Sequence, residues 1–293
     1  MRREADGTTT RLTPEGFNAR SRVHEYGGGA TLVAGDLVVV ADFATGRLHR
    51  VVAPGRLEPI TPDRPWRFAD LALDAGRGRL IAVREDHSPQ VVEAHGEWVN
   101  ELVSIDLATG SVAVIDSGAD FYAAPRLSPD GRRLAWVRWS HPNMPWDGTE
   151  LLLADVAPDG SLGPSGVVAG SPRDWISQPR WSPGGILHFA AEPDGWMNLF
   201  RFRDDTAECV LRMDAEFAPP DWQFGNHTYD FLGDGSIVAA ARRDGRDRLW
   251  RIAPSGEAAL VETPYTELLL ADVAPDGSLG PSGVVAGSPR DWI

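Results

Sequence analysis

The sequence predicts an all-β fold, a β-propeller built from four-stranded antiparallel blades. Three observations point there. Short apolar runs with period-2 character alternate with turn clusters such as Ser128-Pro129-Asp130-Gly131 and Pro158-Asp159-Gly160. The pattern returns in five units about 40–55 residues apart, the recurrence expected of blades. No βαβ alternation occurs, so a doubly wound or barrel α/β fold is excluded.

Taken in order, residues 1–16 supply one strand, Thr8 to Thr13, with nothing before it to pair with. The first unit, from Ala30 to about Asp63, reads ATLVAG, LVVVADF, RLHRVV and RLEPIT, with turns at Gly35-Asp36, Thr45-Gly46 and Pro54-Gly55. The second covers Trp66 to Gly118 and carries an insertion, DHSPQVVEAHGEWV, between its second and third strands. The third, Asp120 to Pro172, contains Leu134 to Trp139, where Leu134, Trp136 and Arg138 share one face and Ala135, Val137 and Trp139 the other. The fourth runs from Ser177 to about Ala215 and the fifth from Trp222 to Pro264. Five blades are therefore recognisable, incomplete at both ends, within a propeller domain spanning 1–265.

Residues 266–293 form a second segment. Thr266 to Ile293 is identical at all 28 positions to Thr149 to Ile176, which marks a recent duplication or join. The copy supplies a third and fourth strand where the plan requires a first. It is expected to be neutral or harmful to stability.

Composition limits the function classes. All 28 basic residues are arginine against 42 acidic ones, and the net charge of −14 argues against nucleic acid or an anionic membrane as partner. The lone cysteine, Cys209, cannot form an internal disulfide, and the first residues lack an apolar signal core. The reading is a soluble cytoplasmic protein. Seven histidines show no H-x-x-x-H pair, and neither a calcium loop nor a phosphate loop is present, so no metal and no cofactor is expected. A metal-dependent propeller enzyme of lactonase type would need a ligand cluster that no motif indicates.

Two loops stand out from plain turns. His24-Glu25-Tyr26 precedes three glycines that permit close backbone approach, and it suits either a tight turn into the first blade or a carboxylate, Glu25, near the axis. Ser140 to Gly148 carries His141, Trp146 and Asp147 on a segment stiffened by Pro142 and Pro145, either as binding groups or packed on its own blade. By contrast Asp130, Asp194 and Asp234, each before glycine, read as turn formers. Most of the 11 tryptophans read as core.

RVHEYGGGA at 22–30, DFYAAPRLSPDGRRLAWVRW at 120–139, HPNMPWDGTELLLADV at 141–156 and WSPGGILHFAAEPDGWMNLFRF at 181–202 resemble the N-terminal propeller of the prolyl oligopeptidase family, most closely the bacterial acylaminoacyl-peptidase and dipeptidyl-aminopeptidase types. The resemblance covers about residues 7–266. It implies a propeller that restricts an α/β-hydrolase active site to short or unfolded peptides, so the partners it implies are a peptide substrate and that catalytic domain. No G-x-S-x-G nucleophile elbow is present to receive the family's catalytic serine. Glu25, His141, Trp146 and Asp147 are the candidate substrate or interdomain contacts. The alternative is a stand-alone scaffold that binds a peptide or protein on its loop face.

A purified chain lacking nucleophile, base and oxyanion hole is expected to show no stoichiometric labelling by a serine-directed fluorophosphonate. Labelling of any serine would overturn that expectation.

Overall fold

The computed structural model describes residues 1–3 and 6–268. They form five four-stranded antiparallel sheets, each paired strictly in chain order, with a short two-stranded ribbon. Blade 1 comprises Thr31–Ala34, Leu37–Ala41, Leu48–Ala53 and Arg56–Pro59. Blade 2 comprises Trp66–Asp74, Arg79–Asp86, Val99–Asp106 and Val112–Asp116. Blade 3 comprises Phe121–Leu127, Arg133–Trp139, Thr149–Asp155 and Gly166–Ser171. Blade 4 comprises Ile176–Trp181, Leu187–Ala191, Asn198–Arg203 and Thr206–Leu211. Blade 5 comprises Tyr229–Phe231, Ile237–Arg243, Arg246–Ile252 and Ala258–Val261.

The alternation read from Leu134 to Trp139 sorts the core. Leu134 and Trp136 pack toward blade 2 with Ile81, Val83 and Leu102, whereas Ala135 and Val137 pack toward blade 4 with Ile176, Leu187 and Phe189. Blades 2, 3 and 4 thus bury both faces against neighbouring blades, and about 25 cal/mol per Å² of apolar surface removed from water holds the array together. The Asp-Gly turns do what their chemistry requires: Asp130 accepts from the Ser128 hydroxyl at 2.6 Å and the Arg132 N–H at 3.1 Å, and these bonds hold its carboxyl below the usual range.

Two local expectations need correction. The N-terminal strand is only Thr9–Thr10, and it does have a partner, since Arg2 and Arg3 pair with it antiparallel. The insertion in blade 2 holds a helix, Pro89–His95, started by a proline in its first turn and stopped by Gly96 in the left-handed region. Of the repeated segment, only Thr266 to Leu268 belongs to the described residues. The Asp247 N–H donates to the Thr266 carbonyl at 2.9 Å, and Leu268 packs on Val238, Ala240 and Leu249 of blade 5. The rest of the expected 266–293 segment, and its competition with 149–176, lies outside the described residues.

The axis carries the least ordinary backbone. Asp70, Ala124 and Gln178 sit in the first strands of blades 2, 3 and 4 with φ of 53°, 52° and 55°, each at a break in register. The blades are stitched there by polar bonds. Asp70 accepts the Ala124 N–H at 2.6 Å and pairs with Arg126 at 2.9 Å. Gln178 Oε1 accepts the Thr228 N–H at 2.8 Å, and Tyr229 donates its hydroxyl to the Gln178 carbonyl at 2.7 Å. Arg180 pairs with Asp230 at 3.1 Å.

Removing the Asp70 carboxylate leaves the Ala124 N–H without its acceptor and Arg126 without its counter-charge, so Asp70→Ala is expected to lower stability by about 2–4 kcal/mol, with Asp70→Asn losing less because it still accepts from Ala124. Urea denaturation of the three chains checks the order, and an Asp70→Ala chain as stable as the parent would contradict it.

Candidate functional site

Strand parity places the site. In a four-stranded antiparallel blade, the turns after strands one and three lie at one end. The turn after strand two and the link to the next blade lie at the other. The Ser-Pro-Asp-Gly turn and its kin therefore share one face, while 20–30, 87–98, 140–148, 192–197 and 212–228 share the opposite face. That second face carries six exposed large apolar side chains: Tyr26, Val92, Trp98, Met144, Trp196 and Trp222.

A cavity of about 570 Å³ opens among these loops, lined by residues that include Glu25, Tyr26, Trp98, His141, Trp146 and Trp222. The structure thus brings together three of the four residues singled out from sequence. The fourth does not join them as lining: the Asp147 carboxylate accepts the Met144 N–H at 2.9 Å and closes the loop's own turn. His141 packs edge-on against Phe121 at 4.9 Å, and Trp146 meets Trp222 at 4.5 Å. Trp222 in turn meets Tyr26 at 5.1 Å, so one indole links the 140–148 loop to the segment before blade 1.

The Glu25 turn is built on the glycines that follow it. A side chain on Gly28 would come within 2.4 Å of the Phe224 carbonyl oxygen, which is why the 212–228 link can lie against this segment. His24 and Glu25 both hold positive φ, at 55° and 65°. Glu25 itself is largely in water, with 67% of its side chain exposed, and lies 3.6 Å from Arg67. Arg67 also lies 3.4 Å from the buried Glu85, whose other oxygen accepts the His24 N–H at 2.6 Å. Glu25 is therefore a screened carboxylate with a cation beside it.

Between this cavity and the axis lies a second, smaller one of about 60 Å³, and the two share His24, Trp139, Pro145, Asp221 and Trp222 as walls. The His24 ring is enclosed by Phe121, Trp139 and Phe224 at 5.0, 5.3 and 4.6 Å, its Nε2 is buried without a partner, and burial lowers its pKa to about 3. It is a neutral imidazole across the physiological range. Asp221 moves the other way: burial pushes its carboxyl up to about 6, partly offset by Ser177 and Trp175 nearby. Sequence reading did not single out the cavity-lining Asp221 and Gln178 and placed the tryptophans mostly in the core, whereas Trp98, Trp146, Trp196 and Trp222 belong to the loop face. His227 sits in the 212–228 link, with Nδ1 3.2 Å from the Gly225 carbonyl. Among the described residues no group of three or more His, Cys, Asp or Glu is placed to hold a metal, and no helix is long and apolar enough to cross a membrane.

Neither protein-family models nor curated proteins match the chain. Solved structures do. Puromycin hydrolase is 31% identical, with a TM-score of 0.84 over 93% of this chain and 44% of that one. A puromycin-hydrolyzing peptidase of Mycobacterium tuberculosis is also 31% identical, with a TM-score of 0.79 over 92% of this chain and 46% of that one. The chain's structural neighbours are the propeller regions of puromycin hydrolase and of prolyl oligopeptidase-family peptidases. Prolyl oligopeptidase B from Galerina marginata, 10% identical with a TM-score of 0.56 over 80% of this chain and 33% of that one, shares the fold alone. The chain spans less than half the length of puromycin hydrolase.

Proposed function

We propose that the chain is the substrate-gating propeller of a serine peptidase, working with an α/β-hydrolase domain seated on its loop face. The observation that carries this reading is the gathering of six exposed apolar side chains and the 570 Å³ cavity on one face, opposite the 128–131 and 232–236 turns. Exposed apolar surface concentrated in this way marks a contact site. A cavity of this volume, aromatic on its walls and polar at a few points, suits a short peptide rather than a folded chain. The likeness to puromycin hydrolase and to a puromycin-hydrolyzing peptidase supports a hydrolytic partner domain that acts on a peptide. In this reading Trp146, Trp222 and His141 shape the cavity wall, and Asp147 holds the loop that presents them. Glu25 and Arg67 form a charged rim beside them.

A chimera tests the proposal: residues 1–268 of this chain replace the propeller region of puromycin hydrolase, and hydrolysis of a short chromogenic peptide is compared with hydrolysis of casein. The chimera is expected to cleave the peptide and to spare casein, while the catalytic domain freed of any propeller loses that size discrimination. Equal attack on casein by the chimera and the bare domain would refute gating by this propeller.

A further inference from the structure

A third cavity on the loop face, of about 230 Å³, lies between blades 1 and 2 and shares no lining residue with the other two. Its walls come from the segment before blade 1, the turn after that blade's second strand and the link into blade 2. The turn is pressed onto the link: a side chain on Gly46 would come within 2.1 Å of the Trp66 carbonyl oxygen. The polar groups of these walls are largely spent. Asp42, the carboxylate on the wall, accepts the Ala44 N–H at 3.2 Å and the Thr45 hydroxyl at 2.7 Å. Ser21 donates its hydroxyl to the Phe68 carbonyl at 2.8 Å, and His87 Nε2 lies 2.9 Å from Glu85.

Three arginines line the cavity, and they are not alike. Arg67 is matched by carboxylates, Glu25 at 3.6 Å and the buried Glu85 at 3.4 Å. Arg20 and Arg22 are matched by none. Among the described residues neither makes an ion pair or a side-chain hydrogen bond, and both guanidinium groups rest on one ring, Phe43, at 5.3 and 4.2 Å from its centroid. A phenyl face attracts an exposed cation weakly, whereas two like charges gathered on one face repel. The chain has 42 acidic residues for 28 basic ones, yet sets no carboxylate against this pair.

The ligand that answers two free guanidinium groups is an oxyanion, and charge decides its kind. Their forks of N–H donors match carboxylate and phosphate alike. A carboxylate neutralises only one of the two charges. A phosphate ester carries close to two near neutral pH and presents three acceptor oxygens, enough for both forks. A volume of about 230 Å³ also leaves room for an organic body beside the phosphate group. The net charge of −14 repels anions from the surface at large, so capture here rests on this pair.

We propose that Arg20 and Arg22 bind a dianionic phosphate group, carried by a small organic ester or free, with Arg67 at the edge of the site. The site stands apart from the gating role, because the two cavities have no wall in common and either reading can fail alone.

Calorimetric titration of the full chain at neutral pH and constant ionic strength tests it, with phenyl phosphate, inorganic phosphate and benzoate, for the parent, Arg20→Gln, Arg22→Gln and Arg22→Lys. Phenyl phosphate is expected to bind the parent at least about 10-fold more tightly than benzoate. Each glutamine variant is expected to lose about 10- to 100-fold in phenyl phosphate affinity, and Arg22→Lys, which keeps the charge without the fork, to lose less. Both positions are exposed, so the variants are expected to keep the circular dichroism of the parent. Inorganic phosphate matching phenyl phosphate supports the site with free phosphate as its ligand, and weaker binding of inorganic phosphate supports it with an ester. Benzoate binding as tightly as the phosphates, binding of none of the three, or phosphate affinity unchanged in both glutamine variants would each overturn the assignment and leave the peptide cavity untouched.

Discussion

An even number of antiparallel strands per blade returns the chain to the same face at every new blade. That parity governs the molecule more than any single contact. It fixes which connections can be long without disturbing the packing between sheets, and it sends all of them one way. The 87–98 helix-bearing insertion, the 140–148 loop and the 212–228 link are far apart in sequence, yet parity makes them neighbours. The opposite face is left with tight turns such as 128–131 and 232–236, where serine and aspartate side chains satisfy the backbone locally.

Parity brings the loops together, and the axial strands set what lies beneath them. Three non-glycine residues at φ near +50° are costly, of order 1–3 kcal/mol each, and persist where the surroundings over-determine them. Here the surroundings are bonds from one blade to the next. Asp70 caps the bulge at Ala124, and Gln178 caps the backbone of Thr228. The same bonds that pay for the bulges fix the direction of Gln178 Nε2, so strain and site share residues.

The blades were legible in the sequence because each signal was local. Period-2 alternation sorted Leu134 and Trp136 from Ala135 and Val137, and the Asp-Gly clusters marked the turns between strands. Glu25, His141 and Trp146 were legible as departures from that plan. The helix in 86–99 had readable boundaries, Pro89 and Gly96, hidden by an expectation of uninterrupted β-structure. Asp147 misled because a turn-closing aspartate and a binding one look alike until its acceptor geometry is known. Asp221 and Gln178 were beyond reach for a deeper reason: a register break in an axial strand and the burial of a carboxylate in a blade-to-blade link are tertiary facts. A Pro-Pro-Asp-Trp segment carries no local sign of how dry its carboxylate will be.

Hydrogen–deuterium exchange of the chain, with and without saturating Phe-Gly-Gly, tests the central claim that binding chemistry is confined to the face where strand-two turns and blade links converge. The account predicts added protection within 24–29, 139–148 and 219–228 and none within 128–132, 156–162 and 232–236. Protection of the Asp-Gly turns with the loop face unchanged would contradict it.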